Sequence, residues 1–109
     1  MESPQPDLAA ALDRLWTKFL AEIRERVSTI ESAVRSVSED ELDAECQQAA
    51  GAAAHKLAGV LGTFQLERGT ELARELELIF LGSEAPRSDS APRLAAMVAE
   101  LHSVVNSRS

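Results

Sequence analysis

The chain has 109 residues and a formal net charge of −7, from 11 Lys and Arg against 18 Asp and Glu. With 45% hydrophobic and 27% charged residues, it has the balance of one compact soluble domain and not of a disordered tail. A pI of about 4.8 leaves too little positive charge for non-specific attachment to phosphate backbones or anionic lipid, so neither nucleic acid nor a membrane surface is an expected partner.

No apolar run approaches the roughly 18 residues of a membrane span. The opening Met1-Glu2-Ser3-Pro4-Gln5-Pro6 has neither a basic nor an apolar leader segment, and a cytoplasmic location is expected. Met1 and the polar end Asn106-Ser107-Arg108-Ser109 favour a stand-alone chain. The single cysteine, Cys46, rules out an internal disulfide and argues against a structural zinc site.

The first element is a long amphipathic helix over about residues 7–37, because Leu8, Leu12, Leu15, Trp16, Phe19, Ile23, Val27, Ile30, Val34 and Val37 recur every three or four positions. Pro4 and Pro6 precede it and Asp7 is its expected N-cap. Its length suggests a bend near residues 22–26, or two helices in line. The second helix, about 39–62, opens on Ser38-Glu39-Asp40-Glu41, which reads as a capping box. Its core stripe is Leu42, Cys46, Ala49 or Ala50, Ala53, Leu57, Val60 or Leu61, and Phe64.

A third helix over about 66–81 points Leu72, Ala73, Leu76, Ile79 and Phe80 inward, and Gly82 follows it as a left-handed C-terminal residue. The polar segment Ser83–Asp89 is a loop. The last helix, about 90–106, starts at Ser90 as N-cap, carries Pro92 in its first turn, and buries Leu94, Met97, Val98, Leu101 and Val105. No strand signal occurs. The fold class is all-α, a single domain built as an antiparallel four-helix bundle with an additional or kinked N-terminal helix.

The second helix carries one anomaly. At about 100° per residue, the positions within roughly 60° of His55 are Ala44, Gln48, Gly51, Ala52, Ala58, Gly59 and Gly62, none of them charged or bulky. Cys46, Ala53, Leu57 and Phe64 lie opposite, so His55 is expected to face solvent in the middle of a bare strip. Each helical glycine costs about 0.5–1 kcal/mol relative to alanine, and an outward face is ordinarily filled with long polar side chains. Two explanations fit. Either the strip gives a partner protein access to the helix, or the small residues pack against another helix of the chain. No apolar helix is left over to cover the strip, which favours access.

An exposed lone histidine has few chemical options. No serine, cysteine or carboxylate lies one turn away to form a hydrolytic site, and the metal-ligand spacings around it are held by Gly51, Ala52, Ala58 and Gly59. A neutral imidazole is a nucleophile at neutral pH, and phosphoryl acceptance needs only the ring and a donor brought by a partner. Cys46 is expected in the core, Trp16 in the core or capping the bundle end, and His102 on the surface or the core rim.

The stretch Ala53-Ala54-His55-Lys56-Leu57-Ala58-Gly59-Val60-Leu61-Gly62-Thr63-Phe64, followed by Leu66, Leu72 and Leu76-Glu77, resembles the histidine-containing phosphotransfer (HPt) domains of bacterial multi-step phosphorelays. The resemblance covers about thirty residues strongly. It implies a phosphocarrier and not an enzyme: His55 would accept a phosphoryl group from an aspartate of one receiver domain and pass it to an aspartate of another. The partners would be receiver domains of response regulators or hybrid histidine kinases, and the chain would act as a monomer with no cofactor or metal of its own, Mg²⁺ belonging to the receiver.

Lys56 is expected to support the phosphoryl charge or to be a plain surface lysine. Gln48, Gly51, Ala52, Ala58, Gly59, Gly62 and Gln65 are the expected docking residues. Two departures from the family pattern stand out: Ala58 where many members have lysine, and Gln65 where many have glycine. Gln65 would bond the imidazole or simply begin the next helix. The alternative to phosphotransfer is a catalytically silent adaptor, or a dimerisation module, using the same small-residue face.

Overall fold

A computed structural model describes residues 5–108, with side chains from Asp7 onward. Among these residues the chain forms four α-helices and no strand: α1 (Gln5–Ser38), α2 (Ala44–Thr63), α3 (Glu67–Leu81) and α4 (Ala91–Arg108), with a 3₁₀ turn at Ser88–Ser90 leading into α4. The helices pack in a ring, α1 on α2 and α4, α3 on α2 and α4, with no close backbone approach across the diagonals among the described residues. The pairs Gly62–Thr70, His55–Glu77 and Gly51–Leu81 run up α2 and down α3, so these neighbours are antiparallel. The all-α four-helix bundle expected from the periodicity is the fold found.

The interior is apolar throughout. Ile23, Val27, Ile30, Val37, Leu57, Leu61, Leu72, Leu76, Phe80, Leu94 and Leu101 are almost wholly withdrawn from solvent, and among the described residues no polar or charged side chain is buried. Burial of apolar area, at about 25 cal/mol per Å², therefore holds the bundle, with ion pairs confined to the surface. Trp16 closes one end, edge-on to Phe64 at 5.1 Å between ring centroids, with the Arg108 guanidinium 5.4 Å over the indole. Trp16 is thus both core and cap.

Helix α1 runs without interruption through the expected bend at residues 22–26, where Arg26 reaches back one turn to Glu22 at 3.2 Å. Among the described residues there is no separate N-terminal helix. At 1.5 Å per residue α1 is about 51 Å long and outreaches its shorter neighbours, which is why Leu8, expected inward, is exposed; Leu15, also expected inward, is exposed because it lies about 100° around the helix from the buried Trp16. Asp7 is not the N-cap but lies inside the first turn, its charge against the positive end of the dipole. Pro6 is also within the helix, while Pro4 lies outside the described residues.

The expected capping box at Ser38–Glu41 is instead the end of α1. Glu41 N–H donates to Ser36 O at 2.8 Å and Asp40 N–H to Val37 O at 3.1 Å, with Asp40 left-handed at φ 57°. This is a Schellman closure. Helix α2 begins later, with Asp43 as its N-cap accepting from Cys46 N–H at 2.7 Å. Leu42 therefore precedes the helix, though it still packs on the core.

The α2–α3 turn repeats the closure. Leu66 N–H donates to Leu61 O and Gln65 N–H to Gly62 O, both at 3.0 Å, with Gln65 left-handed at φ 59°. Gly82 is not left-handed: its φ of −69° is one that any residue adopts. What keeps it glycine is close approach, since a Cβ there would stand 2.9 Å from Leu78 O. Ser90 belongs to the 3₁₀ turn, and α4 proper starts at Ala91 with Pro92 in its first turn.

Candidate functional site at the α2–α3 seam

Helices α2 and α3 share the most extensive contact of the bundle, and the small residues of α2 make it possible. Gly51, Ala54 and Ala58 are buried on the flank facing α3. A Cβ on Gly51 would fall 2.2 Å from Leu81 Cδ2, so Leu81 occupies that position's missing side chain. Gly69 on α3 serves the same end from the other side, where a Cβ would lie 2.9 Å from Leu61 Cδ1 and 3.0 Å from Val104 Cγ1. The expectation that Gly51 and Ala58 are open to a partner is corrected: α3 covers them.

The other flank stays bare. Gln48, Ala52 and Gly59 are exposed, and a Cβ on Gly59 would meet nothing within 4 Å; Gly62 is exposed too, but on the α3 side, where a Cβ would lie 3.8 Å from Thr70 Oγ1. The strip around His55 thus divides along its length, one edge pressed against α3 and the other open. Packing against another helix accounts for the small residues on the α3 edge, and the other edge lies open to solvent.

His55 stands on the dividing line with 72% of its side chain exposed. Its Nδ1 lies 2.7 Å from Glu77 Oε2, across the seam on α3. A carboxylate accepts and does not donate, so the Nδ1 proton lies in this bond and the neutral ring keeps its lone pair on Nε2. Nε2 is the ring atom farther from the backbone. The arrangement fixes the ring, chooses the tautomer and leaves the nucleophilic nitrogen outward.

Glu77 was legible in the sequence only as half of a Leu-Glu pair; no local periodicity connects residues 22 apart. Beside the histidine, Ala58 and Gly59 from α2 and Arg74, Glu77 and Leu78 from α3 line an open hollow of about 420 Å³. Leu78 is 73% exposed, a bare apolar side chain at the rim. Arg74 also borders a second hollow of about 810 Å³ with Gly62, Gln65, Leu66, Glu67, Thr70 and Glu71. Sequence reasoning confined to the histidine's own helix missed Arg74.

Lys56 is exposed but points about 100° around the helix from His55 and does not line the hollow. Gln65 neither bonds the imidazole nor begins a helix. It forms the left-handed corner before α3, and the imidazole's partner is Glu77. Cys46 is half-buried against the core. His102 lies on the surface of α4, its Nε2 3.4 Å from Glu31 Oε2. Among the described residues no three His, Cys, Asp or Glu side chains gather as metal ligands, and no helix is long and apolar enough to cross a membrane.

A bundle with an exposed histidine at mid-helix, backed by small residues and anchored from the next helix, is the architecture of a phosphotransfer domain. The family model of the Hpt domain matches residues 14–106, and the chain belongs to that family, whose members serve in phosphorelay signalling. The chain is also similar to Protein RcaC of Microchaete diplosiphon, 31% identical over 97 residues that make up 89% of this chain. It spans only 15% of the length of that protein. No solved structure matches it.

Proposed function

We propose that His55 carries a phosphoryl group between receiver domains. In the forward step Nε2 attacks the phosphorus of a receiver aspartyl phosphate. The N–P bond forms, the acyl P–O bond breaks, and the receiver carboxylate leaves with the electron pair. The ring retains its Nδ1 proton and becomes an imidazolium, whose positive charge Glu77 faces at 2.7 Å. Delivery to a second receiver is the reverse reaction on a different aspartate. No proton need be gained or lost by the chain in either direction.

The observation that carries this reading is the pairing of a 72% exposed imidazole with a carboxylate on Nδ1 alone. Ala52, Gly59 and Gly62 offer the receiver a surface with no long side chains, with Gln48 at its edge, and Leu78 offers it an apolar contact. Lys56, exposed next to His55, adds positive potential to the approach. The chain acts as a monomeric phosphocarrier, and the Mg²⁺ of the reaction belongs to the receiver. The test is incubation with a phosphorylated receiver, which should yield an acid-labile, base-stable adduct that His55→Gln does not form. Firm receiver binding without any adduct would replace this reading with that of a silent adaptor.

A further inference from the structure

We propose that Arg74 of α3 is the cation that holds the phosphoryl group on His55, an inference that rests on the function proposed above. A phosphoryl group on Nε2 would bring close to two negative charges into a hollow already bordered by the Glu77 carboxylate, on a chain of net charge −7. The α2 wall of that hollow consists of His55, Ala58 and Gly59, and position 58 supplies no charge. The α3 wall supplies one cation, Arg74, a single turn before Glu77 on the same face.

Arg74 is also free to act. The other arginine of α3, Arg68, is gripped by Glu100 through Nε at 2.5 Å and Nη2 at 2.9 Å, and Arg93 is paired with Glu75. Arg74 is exposed and makes neither a hydrogen bond nor an ion pair among the described residues. A planar guanidinium presents paired donors that match two phosphoryl oxygens, which a point charge does not. Gly59 is open, and the short side chain of the buried Ala58 does not fill the hollow between α2 and α3 into which that fork would fold. Lys56, about 100° away around α2, borders none of this space and acts at longer range.

In the transfer step the guanidinium touches the phosphoryl oxygens while the N–P bond forms and the acyl P–O bond breaks. It exchanges no proton.

The experiment compares wild type, Arg74→Ala, Arg74→Lys and, as a control, Arg24→Ala, which removes an exposed arginine of α1, in the full chain. For each, transfer from a phosphorylated receiver is timed, the phosphorus resonance of the phosphorylated chain is recorded, and binding of the unphosphorylated receiver is titrated. Arg74→Ala should slow transfer roughly 10- to 100-fold, the range expected for losing a charge-assisted hydrogen bond. It should also move the phosphorus resonance while changing receiver affinity less than about threefold. Arg74→Lys should recover part of the rate, and Arg24→Ala should stay within about threefold of wild type. Transfer by Arg74→Ala at the wild-type rate, or a loss matched by an equal loss of receiver affinity, overturns the proposal and leaves the phosphocarrier reading standing. A wild-type chain that takes up no phosphoryl group overturns both.

Discussion

The molecule contains two exposed histidines, each facing a carboxylate across a helix seam, and they are built in opposite senses. His55 turns Nδ1 to Glu77 at 2.7 Å and leaves Nε2 outward; His102 turns Nε2 toward Glu31 at 3.4 Å and leaves Nδ1, the nitrogen beside its own backbone. One turn away from His55 on the open side are Ala52 and Gly59, whereas His102 has Val98 and Val105 buried beside it. Exposure differs less, at 72% and 47% of the side chain. The two histidines therefore differ in which nitrogen is engaged and what stands around the other, more than in exposure, and on the proposed function that difference sets the phosphoryl acceptor apart from a surface histidine.

Replacement of the rings themselves should give the largest effect. His55→Gln should abolish phosphoryl transfer while leaving the thermal midpoint close to wild type, because an exposed side chain opposite the core holds little of the fold. His102→Gln should transfer at the wild-type rate. A melt that collapses for His55→Gln would mean that the cross-seam bond is structural. Removing the carboxylates comes next. Glu77→Ala should slow transfer roughly tenfold, the lower end for a charge-assisted hydrogen bond, and nitrogen NMR should show the His55 proton redistributed between both ring nitrogens. Glu31→Ala should do neither.

The surroundings of the ring give a smaller effect on stability. Gly59→Glu should hold or raise stability by about 0.5–1 kcal/mol, since the position is open and glycine is a poor helix former, yet transfer should fall as the carboxylate meets the incoming receiver. Normal transfer in that variant would remove Gly59 from the docking flank. The bundle end offers a comparable stability change. Gln65→Gly should stabilise by about 1 kcal/mol, because only glycine takes φ near 59° without steric cost; chemical denaturation of the two variants measures both.

The four helices and most of their inward faces could be read from apolar periodicity, because Ile23, Leu57, Leu76 and Leu101 repeat with the helical period and bury together. Leu8 broke the pattern because periodicity gives no information on where neighbouring helices stop, and Leu15 because it sits at the margin of the apolar stripe, about 100° from Trp16. Helix ends were less legible. Ser38 and Glu41 satisfy the spacing of a capping box, but the same four residues close α1 through a left-handed Asp40, and Asp43 outcompetes Ser38 as a cap. The two left-handed corners are held by aspartate and glutamine, while Gly82 is spent on close approach, so the glycines pointed to the wrong turns.

For the site, the wheel placed His55 outward and Leu57 inward correctly. It could not say which edge of the strip α3 would take, since that depends on the lateral angle between two helices. Glu77 and Arg74 reach the imidazole's surroundings only through tertiary packing, and no pattern local to α2 contains them.

The measurement that bears most directly on the account is the position of the new bond. Phosphorus–nitrogen NMR on the chain phosphorylated by a receiver, with the imidazole nitrogens labelled, distinguishes both the histidine and the nitrogen. A phosphoryl group on Nε2 of His55, with the Nδ1 proton still present, is the predicted result. Phosphorylation at Nδ1 of His55, or on His102, would contradict it.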